Sequence, residues 1–193
     1  MYNVQNPWSY WANMQMYSMY PYPFWIHPQI QSMNPYNYFG APAIYNQNLK
    51  RPLPQLKDYG ANPFVINIED ATDKNNTFRT TLWTGEHLQV TLMSIDVGDD
   101  IGLEVHETGD QFIRIEEGQA LVKMGNSKDN LDFERIVSDD YAIMIPAGTW
   151  HNIINTGNEP LKLYAIYAPP EHPHSTVHLT KADAELAEQN SRY

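Results

Sequence analysis

The chain of 193 residues contains no cysteine, and its first 49 residues contain no charged side chain. The missing cysteine excludes disulfides, zinc sites with thiolate ligands and cysteine nucleophiles together. All of the formal net charge of -11 therefore lies after residue 49. Because so acidic a body repels phosphate backbones, we expect no nucleic-acid partner.

Long apolar runs are also missing from the chain. No stretch approaches the roughly 20 apolar residues that cross a bilayer, and the N-terminus lacks the basic and apolar regions of a cleaved signal peptide. We therefore expect a soluble, cytoplasmic protein with no membrane partner. The length suits one domain of ordinary size.

Residues 1–49 form a tract rich in Tyr, Trp, Met, Asn, Gln and Pro. Its prolines, at positions 7, 21, 23, 28, 35 and 42, interrupt any helix or central strand, so we expect an extended conformation. Uncharged, aromatic composition of this kind favours self-association or docking onto a surface. Two interpretations stay open: an arm that wraps its own domain or a sister subunit, and an adhesive tail for assembly into a larger protein layer.

The rest of the chain alternates short runs of strand-forming residues with turn residues, which is typical of an antiparallel sandwich or barrel. The predicted strands are 64–68, 78–84, 87–95, 102–106, 111–117, 119–124, 132–137, 141–145, 151–155 and 161–168. Only residues 181–190 are predicted to be helical, with Thr180 as the cap and Asp183 as its partner. The predicted domains are an arm and linker (1–57), a β-barrel (58–170), and a His- and Pro-containing strap with a C-terminal helix (171–193).

Two stretches carry the candidate chemistry: GLEVHETGDQFIRIEEGQALV, residues 102–122, and PAGTWHNIIN, residues 146–155. In the second stretch, Pro146 ends a strand because it has no N–H to donate. Gly148 permits a tight turn, His151 opens the next strand and Asn155 begins the following turn.

The second stretch resembles the second cupin motif, P-x-G-x-x-H-x-x-x-N, at every fixed position, although Asp140 stands where the motif has a glycine six residues earlier. The first cupin motif is met in part: Glu104 takes the place of its first histidine, His106 matches the second, and Gln111 takes the place of its glutamate. The resemblance covers roughly residues 64–170. It implies an all-β fold, a single cupin barrel (a double-stranded β-helix of the jelly-roll type) that is commonly dimeric.

The spacing predicts that Glu104 and His106 point to one side of a strand, because alternate residues share a face. The connection ETGD would reverse the chain so that Gln111, on the partner strand, faces the same interior. The cupin pattern implies that His151 enters from the opposite sheet. Two imidazoles, a carboxylate and an amide oxygen would then suit a divalent transition metal: Fe, Mn, Ni or Zn. Gln111 is the weakest of these ligands and could instead orient a water.

A metal-free alternative stays open, in which Glu104 and Gln111 are hydrogen-bonded to each other in a polar cavity. His172, His174 and His178 lie in one short segment. Two interpretations of this segment stay open, a second metal site and an irregular surface strap. Tyr164, Tyr167 and Trp150 are predicted to be core or cavity-wall aromatics.

The cupin fold hosts many activities, so the fold does not determine the function. The barrel resembles small bacterial cupins described as similar to mannose-6-phosphate isomerase, and the composition of residues 1–49 resembles that of spore coat proteins. The first hypothesis is a metal-binding cupin with sugar isomerase-like or oxygenase-like activity on a small molecule. The alternatives are a spore-coat assembly protein whose coat partners meet residues 1–49, and a metal-free cupin that binds a small ligand. A homodimer or higher self-association is expected in each case.

Overall fold

The structure is a computed structural model, and it describes residues 55–191. The tract 1–49 lies outside the described residues, so the predictions made for it, and the domain bounds that depend on it, stay predictions. The described chain contains nine strands and two helices: α1 (Ile68–Lys74), β1 (Arg79–Thr84), β2 (Gln89–Ile95), β3 (Asp110–Glu117), β4 (Gln119–Gly125), β5 (Phe133–Ser138), β6 (Ala142–Ile145), β7 (Trp150–Asn155), β8 (Leu161–Ala168), β9 (Val177–His178) and α2 (Lys181–Ser191).

The strands form two antiparallel sheets that pack face to face. One sheet has six strands in the order β6-β3-β8-β2-β1-β9, and the other has three in the order β5-β4-β7. Alternate residues of the strands face the space between the sheets, and the apolar ones among them, such as Ile113, Leu163 and Ile153, are fully buried there. The predicted all-β cupin-type sandwich is confirmed.

The predicted strand at 64–68 is wrong, and so is the prediction that only the C-terminal segment is helical, because α1 lies at Ile68–Lys74. Residues 64–67 belong to no strand, and α1 begins at Ile68, where the Asn67 side chain accepts a hydrogen bond from the Asp70 N–H. The alternating apolar residues Phe64, Ile66 and Ile68 instead pack against a second apolar cluster that contains Leu92. A period of two indicates an extended, half-buried segment, but it does not require a pairing partner.

The predicted strand at 102–106 is also wrong, because only Glu104 forms a bridge, and its partner is His151 of β7. Gly102 interrupts the segment with a φ of 94°, and its N–H donates to the side chain of Asp100. β3 pairs with β6 and β8, so the connection before it does not form the expected hairpin. Glu104 is therefore presented from the side of the three-stranded sheet, while Gln111 lies in the six-stranded sheet.

The C-terminal segment closes one side of the barrel. β9 pairs with β1, which places His178 opposite Arg79. The predicted cap of α2 is confirmed: the Thr180 N–H donates to Asp183 Oδ2 at 2.9 Å, and the Asp183 N–H donates to Thr180 Oγ1 at 3.3 Å. In the part of the chain that the structure describes, no helix has the length and apolar character needed to cross a membrane.

Candidate metal centre

Glu104 and His151 lie directly opposite each other across a backbone bridge. The Glu104 N–H donates to the His151 carbonyl at 3.0 Å, and the His151 N–H donates back at 2.9 Å. Residues that exchange both backbone hydrogen bonds present their side chains on the same face. Accordingly, Glu104 Oε1 lies 3.3 Å from His151 Nε2.

His106 joins this pair from two residues further along the chain. Its Nε2 lies 3.4 Å from Glu104 Oε1, and the Gly148 N–H donates to its backbone carbonyl at 2.8 Å. Gly148 has a φ of 76°, a conformation that a glycine adopts readily. The ligand atoms of Glu104, His106 and His151 all lie within 4.8 Å of one another, which is the spacing of a group that can hold a metal ion.

The far nitrogen of each imidazole lies close to an oxygen atom. His151 Nδ1 lies 2.9 Å from the Thr149 carbonyl, and His106 Nδ1 lies 3.3 Å from Glu171 Oε1. Because a carbonyl oxygen only accepts, His151 Nδ1 carries a proton, and Nε2 is the ring nitrogen that faces Glu104. Outer partners of this kind orient histidines that bind metals.

The charges of the site favour a cation at its centre. Burial would raise the pKa of Glu104, but the neighbouring imidazoles of His106 and His151 and the charge of Arg79 hold that pKa far below its usual range. Burial would lower the pKa of His106, but Glu104 and Glu171 raise it to about 9. Without a metal, a proton on His106 therefore supplies the positive charge that the carboxylate attracts.

Gln111 lies in the interior of the six-stranded sheet, where its side chain is only 4% exposed. It pairs with Tyr167 of β8, and the Tyr167 ring contacts the His106 ring edge-on at 5.4 Å between centroids. Its Oε1 accepts no hydrogen bond within residues 55–190. The hydrogen bond between Gln111 and Glu104 that a metal-free site was expected to show is not among the contacts of these described residues. The amide oxygen is thus unpaired at the same end of the barrel as the three other candidate ligands.

A cavity of about 690 Å³ opens beside Glu104 and His106. The strap and α2 contribute to its wall, and so does Trp150, one of the aromatics predicted to line a cavity. Arg79 lines it as well, only 1% exposed, with Nη2 3.9 Å from Glu104 Oε2. The sequence analysis assigned no role to Arg79 or Glu171. No motif or spacing in the sequence marked either residue, and the burial of Arg79 in β1 became evident only in the structure.

The three histidines of the strap have separate partners. His172 packs edge-on against Tyr167, and burial lowers its pKa to about 3. His174 lies 2.8 Å from Ser175 Oγ and 3.4 Å from Asp58 Oδ1. His178 belongs to β9. Within residues 55–190, these histidines do not assemble into a second group of three metal ligands.

Comparisons with known proteins agree with the fold. The family model described as "Cupin domain" matches residues 91–167. The chain is 69% identical over 133 residues to YrkC of Bacillus subtilis, a match that covers 69% of this chain and 72% of YrkC. It is 43% identical over 111 residues to a protein of Acanthamoeba polyphaga mimivirus, covering 57% of this chain and 68% of the viral protein. The crystal structure of BH2720 from Bacillus halodurans is 67% identical, with a TM-score of 0.67, over 67% of this chain and 98% of that one.

Proposed function

Because this chain belongs to the cupin family, we propose that its barrel binds a divalent transition metal through Glu104, His106 and His151 and acts with it on a small molecule. The observation that carries the proposal is the convergence on one point, with Glu104 Oε1 3.3 Å and 3.4 Å from the two Nε2 atoms. The contacts of Thr149 and Glu171 to the far nitrogens support it, since they aim both imidazoles at that point.

The donor set fits Fe, Mn, Ni or Zn. Two imidazole nitrogens and one carboxylate oxygen suit these ions and leave positions open for substrate or water. The unpaired Oε1 of Gln111 can complete the set directly or hold a water near it. A bound ion would supply a Lewis acid for a carbonyl or sugar oxygen, or activate water or dioxygen, so sugar isomerase-like and oxygenase-like reactions are the classes to assay.

The residues around the ligands have separate tasks in this proposal. Glu171 holds the proton at Nδ1 of His106, so that His106 presents its Nε2 lone pair to the ion. Trp150 and the strap wall the cavity and limit the access of bulk water. Substrate enters the same cavity and reaches the open positions beside Glu104.

The test is the metal content of untagged, full-length protein purified without chelator, measured by plasma mass spectrometry. We expect about one transition metal per chain, and loss of it in His151→Ala, because two remaining ligands hold such an ion weakly. The matched control is His87→Ala, whose side chain is 85% exposed and which should keep its metal. Equal metal content in wild type and His151→Ala, or none after incubation with all four metals, would contradict the proposal.

A metal-free, ligand-binding cupin is the second candidate, and one observation favours it. The raised pKa of His106 means that a proton can neutralise Glu104 without any ion. If no metal binds under the conditions above, this candidate replaces the first. The cavity would then hold its ligand by hydrogen bonds and charge alone.

A further inference from the structure

The cavity beside the metal ligands contains a buried cation whose donors are mostly unused. Arg79 is 1% exposed, and its Nε and Nη1 donate no hydrogen bond within residues 55–190. A guanidinium has five N–H donors, and a buried charge is costly unless it is paired and hydrogen-bonded. The two nearest carboxylates, Glu104 and Glu188, stay at 3.9 Å, which is beyond hydrogen-bond distance.

Metal binding would leave Arg79 still less satisfied. Glu104 is the carboxylate nearest its Nη2, and in the proposed function Glu104 binds the ion. The ion and Arg79 then contribute about +3, and Glu104, Glu171 and Glu188 contribute about -3, so the formal charges around the cavity balance. An anion that enters the cavity would supply the acceptors that the buried Nε and Nη1 of Arg79 lack.

We propose that the cavity binds a small carboxylic acid whose carboxylate is held by Arg79 next to the metal ligands. The inference deepens the proposed function and rests on it for the neighbouring ion. Arg79 provides a planar fork that matches a carboxylate with two parallel hydrogen bonds. The cavity of about 690 Å³ accommodates a small ligand, and Leu103, Val105 and Trp150 supply apolar wall for its carbon skeleton.

A carboxylate suits this cavity better than a phosphate does. Phosphate sites generally gather several cationic side chains, whereas Arg79 is the one arginine among the described residues that line this cavity. Glu171 and Glu188 also line it, and their charges oppose a dianion more strongly than a monoanion. His172 and His178 do not offset the negative charges of these two carboxylates at neutral pH, because burial and Arg79 lower the pKa values of both histidines.

Glu188 of α2 acts as an internal competitor in this proposal. Its Oε1 lies 3.9 Å from Arg79 Nη1, and its side chain is 54% exposed at the cavity wall. An entering carboxylate would take its place beside Arg79. Removing the charge of Glu188 should therefore strengthen the binding of an acid and leave the binding of an uncharged analogue unchanged.

The test is calorimetric titration of the full-length protein with benzoate and isovalerate, each compared with its uncharged primary amide. Metal-loaded and chelator-treated samples are titrated in parallel, and the metal content of each is measured. We expect at least one acid to bind at least about tenfold more tightly than its amide. Arg79→Gln should abolish this preference, Arg135→Gln on the exposed surface should keep it, and Glu188→Gln should increase it.

Several results would overturn the inference. These are equal affinity for acid and amide, no binding of either acid up to about 10 mM, an undiminished preference in folded Arg79→Gln, or tighter binding of phenyl phosphate than of benzoate. The acid–amide comparison uses the wild-type protein, so it stands even if Arg79→Gln does not fold. A protein with metal but no preference for acids retains the proposed function and loses this inference. If the protein never binds metal but prefers acids through Arg79, this inference stands and the proposed function is lost.

Discussion

Glu104 and Gln111 stand where the cupin motif has a histidine and a glutamate, and the two changes compensate in charge. In the motif the carboxylate occupies the position of Gln111 on the six-stranded sheet, whereas in this chain it lies at the bridge opposite His151. The set of four candidate ligands therefore still contains one carboxylate. A divalent ion therefore meets one negative charge, as it does in the usual set of three histidines and one glutamate. This balance explains how a departure from the motif remains compatible with metal binding.

The role of Gln111 is testable by adding a charge. Gln111→Glu should raise the affinity for metal by about tenfold, because a second carboxylate would face the ion. The same variant should unfold more easily without metal, because its new charge is buried and unpaired. Competition with a fluorescent chelator and thermal melts measure the two effects.

The matched control for that change is Gln119→Glu, at an exposed position of β4. It should alter neither metal affinity nor metal-free stability by a measurable amount. Unchanged metal affinity in Gln111→Glu would mean that Gln111 does not face the ion.

The protonation of His106 predicts a pH dependence of the metal-free protein. The pKa of His106 is raised from 6.5 to about 9, so the folded state holds this proton more tightly than the unfolded state. The resulting stabilisation is fully present below pH 6.5 and is lost as the pH rises through about 9. The Tm of chelator-treated protein should fall across this window.

The metal-loaded protein should not show that fall, because the ion replaces the proton. Metal binding at neutral pH should release about one proton, measurable by calorimetry in buffers of different ionisation enthalpy. Release of no proton, together with a flat Tm profile, would show that His106 is neutral in the metal-free protein.

At the scale of the elements, buried side chains at turns hold the strands that present the site. Asn155 ends β7, the strand of His151, and its Nδ2 donates to the carbonyls of Ile95 and Glu159 at 2.9 Å each. Its Oδ1 accepts from the Gly157 N–H at 2.9 Å. One amide thus joins the two sheets and closes the turn.

Asn155→Ala should lower the free energy of unfolding by about 3 kcal/mol, because it leaves buried carbonyls unpaired. Urea unfolding of the full chain measures the loss. Asn158→Ala, in the same turn but exposed, should cost less than about 0.5 kcal/mol. Similar losses in the two variants would contradict the role assigned to Asn155.

The strap over the cavity is held by side chains that are distant in sequence. Gln89 is fully buried and binds the backbone of His172 through both ends of its amide, at 2.8 Å and 2.9 Å. Asp58 accepts from the Ser175 N–H at 3.0 Å, and its hydrogen bonds lower its pKa despite burial. These contacts position Glu171 against His106, so the wall of the cavity depends on residues outside the cupin motifs.

At the scale of the whole molecule, the difference in charge between the acidic barrel and the uncharged tract 1–49 indicates different roles for the two parts. The net charge of -11 makes copies of the barrel repel one another. The tract carries aromatic and amide side chains but no charge, so like-charge repulsion does not oppose contacts between tracts. We propose that the tract drives self-association, as the spore-coat hypothesis requires, and that the barrel binds its ligand independently.

Deleting residues 1–49 should reduce self-association in sedimentation velocity and leave the metal content and the Tm of the barrel unchanged. The tract adds adhesive contacts between chains, while all four candidate ligands lie within the described barrel. Loss of folding on deletion would instead identify the tract as an arm of the barrel. An unchanged sedimentation profile would remove the support for an assembly role.

The sequence by itself determined the strands from β1 to β8, the capped C-terminal helix and the turn at Gly148, because these depend on local periodicity and backbone conformation. It also identified three residues that converge, since the cupin motifs carry their spacing. It mistook 64–68 and 102–106 for paired strands, because alternation reports burial and not hydrogen-bond partners. Only the tertiary structure decided that Arg79, Glu171 and Glu188 surround the site. These side chains come from separate parts of the chain, and their meeting depends on how the strap and α2 pack over the barrel.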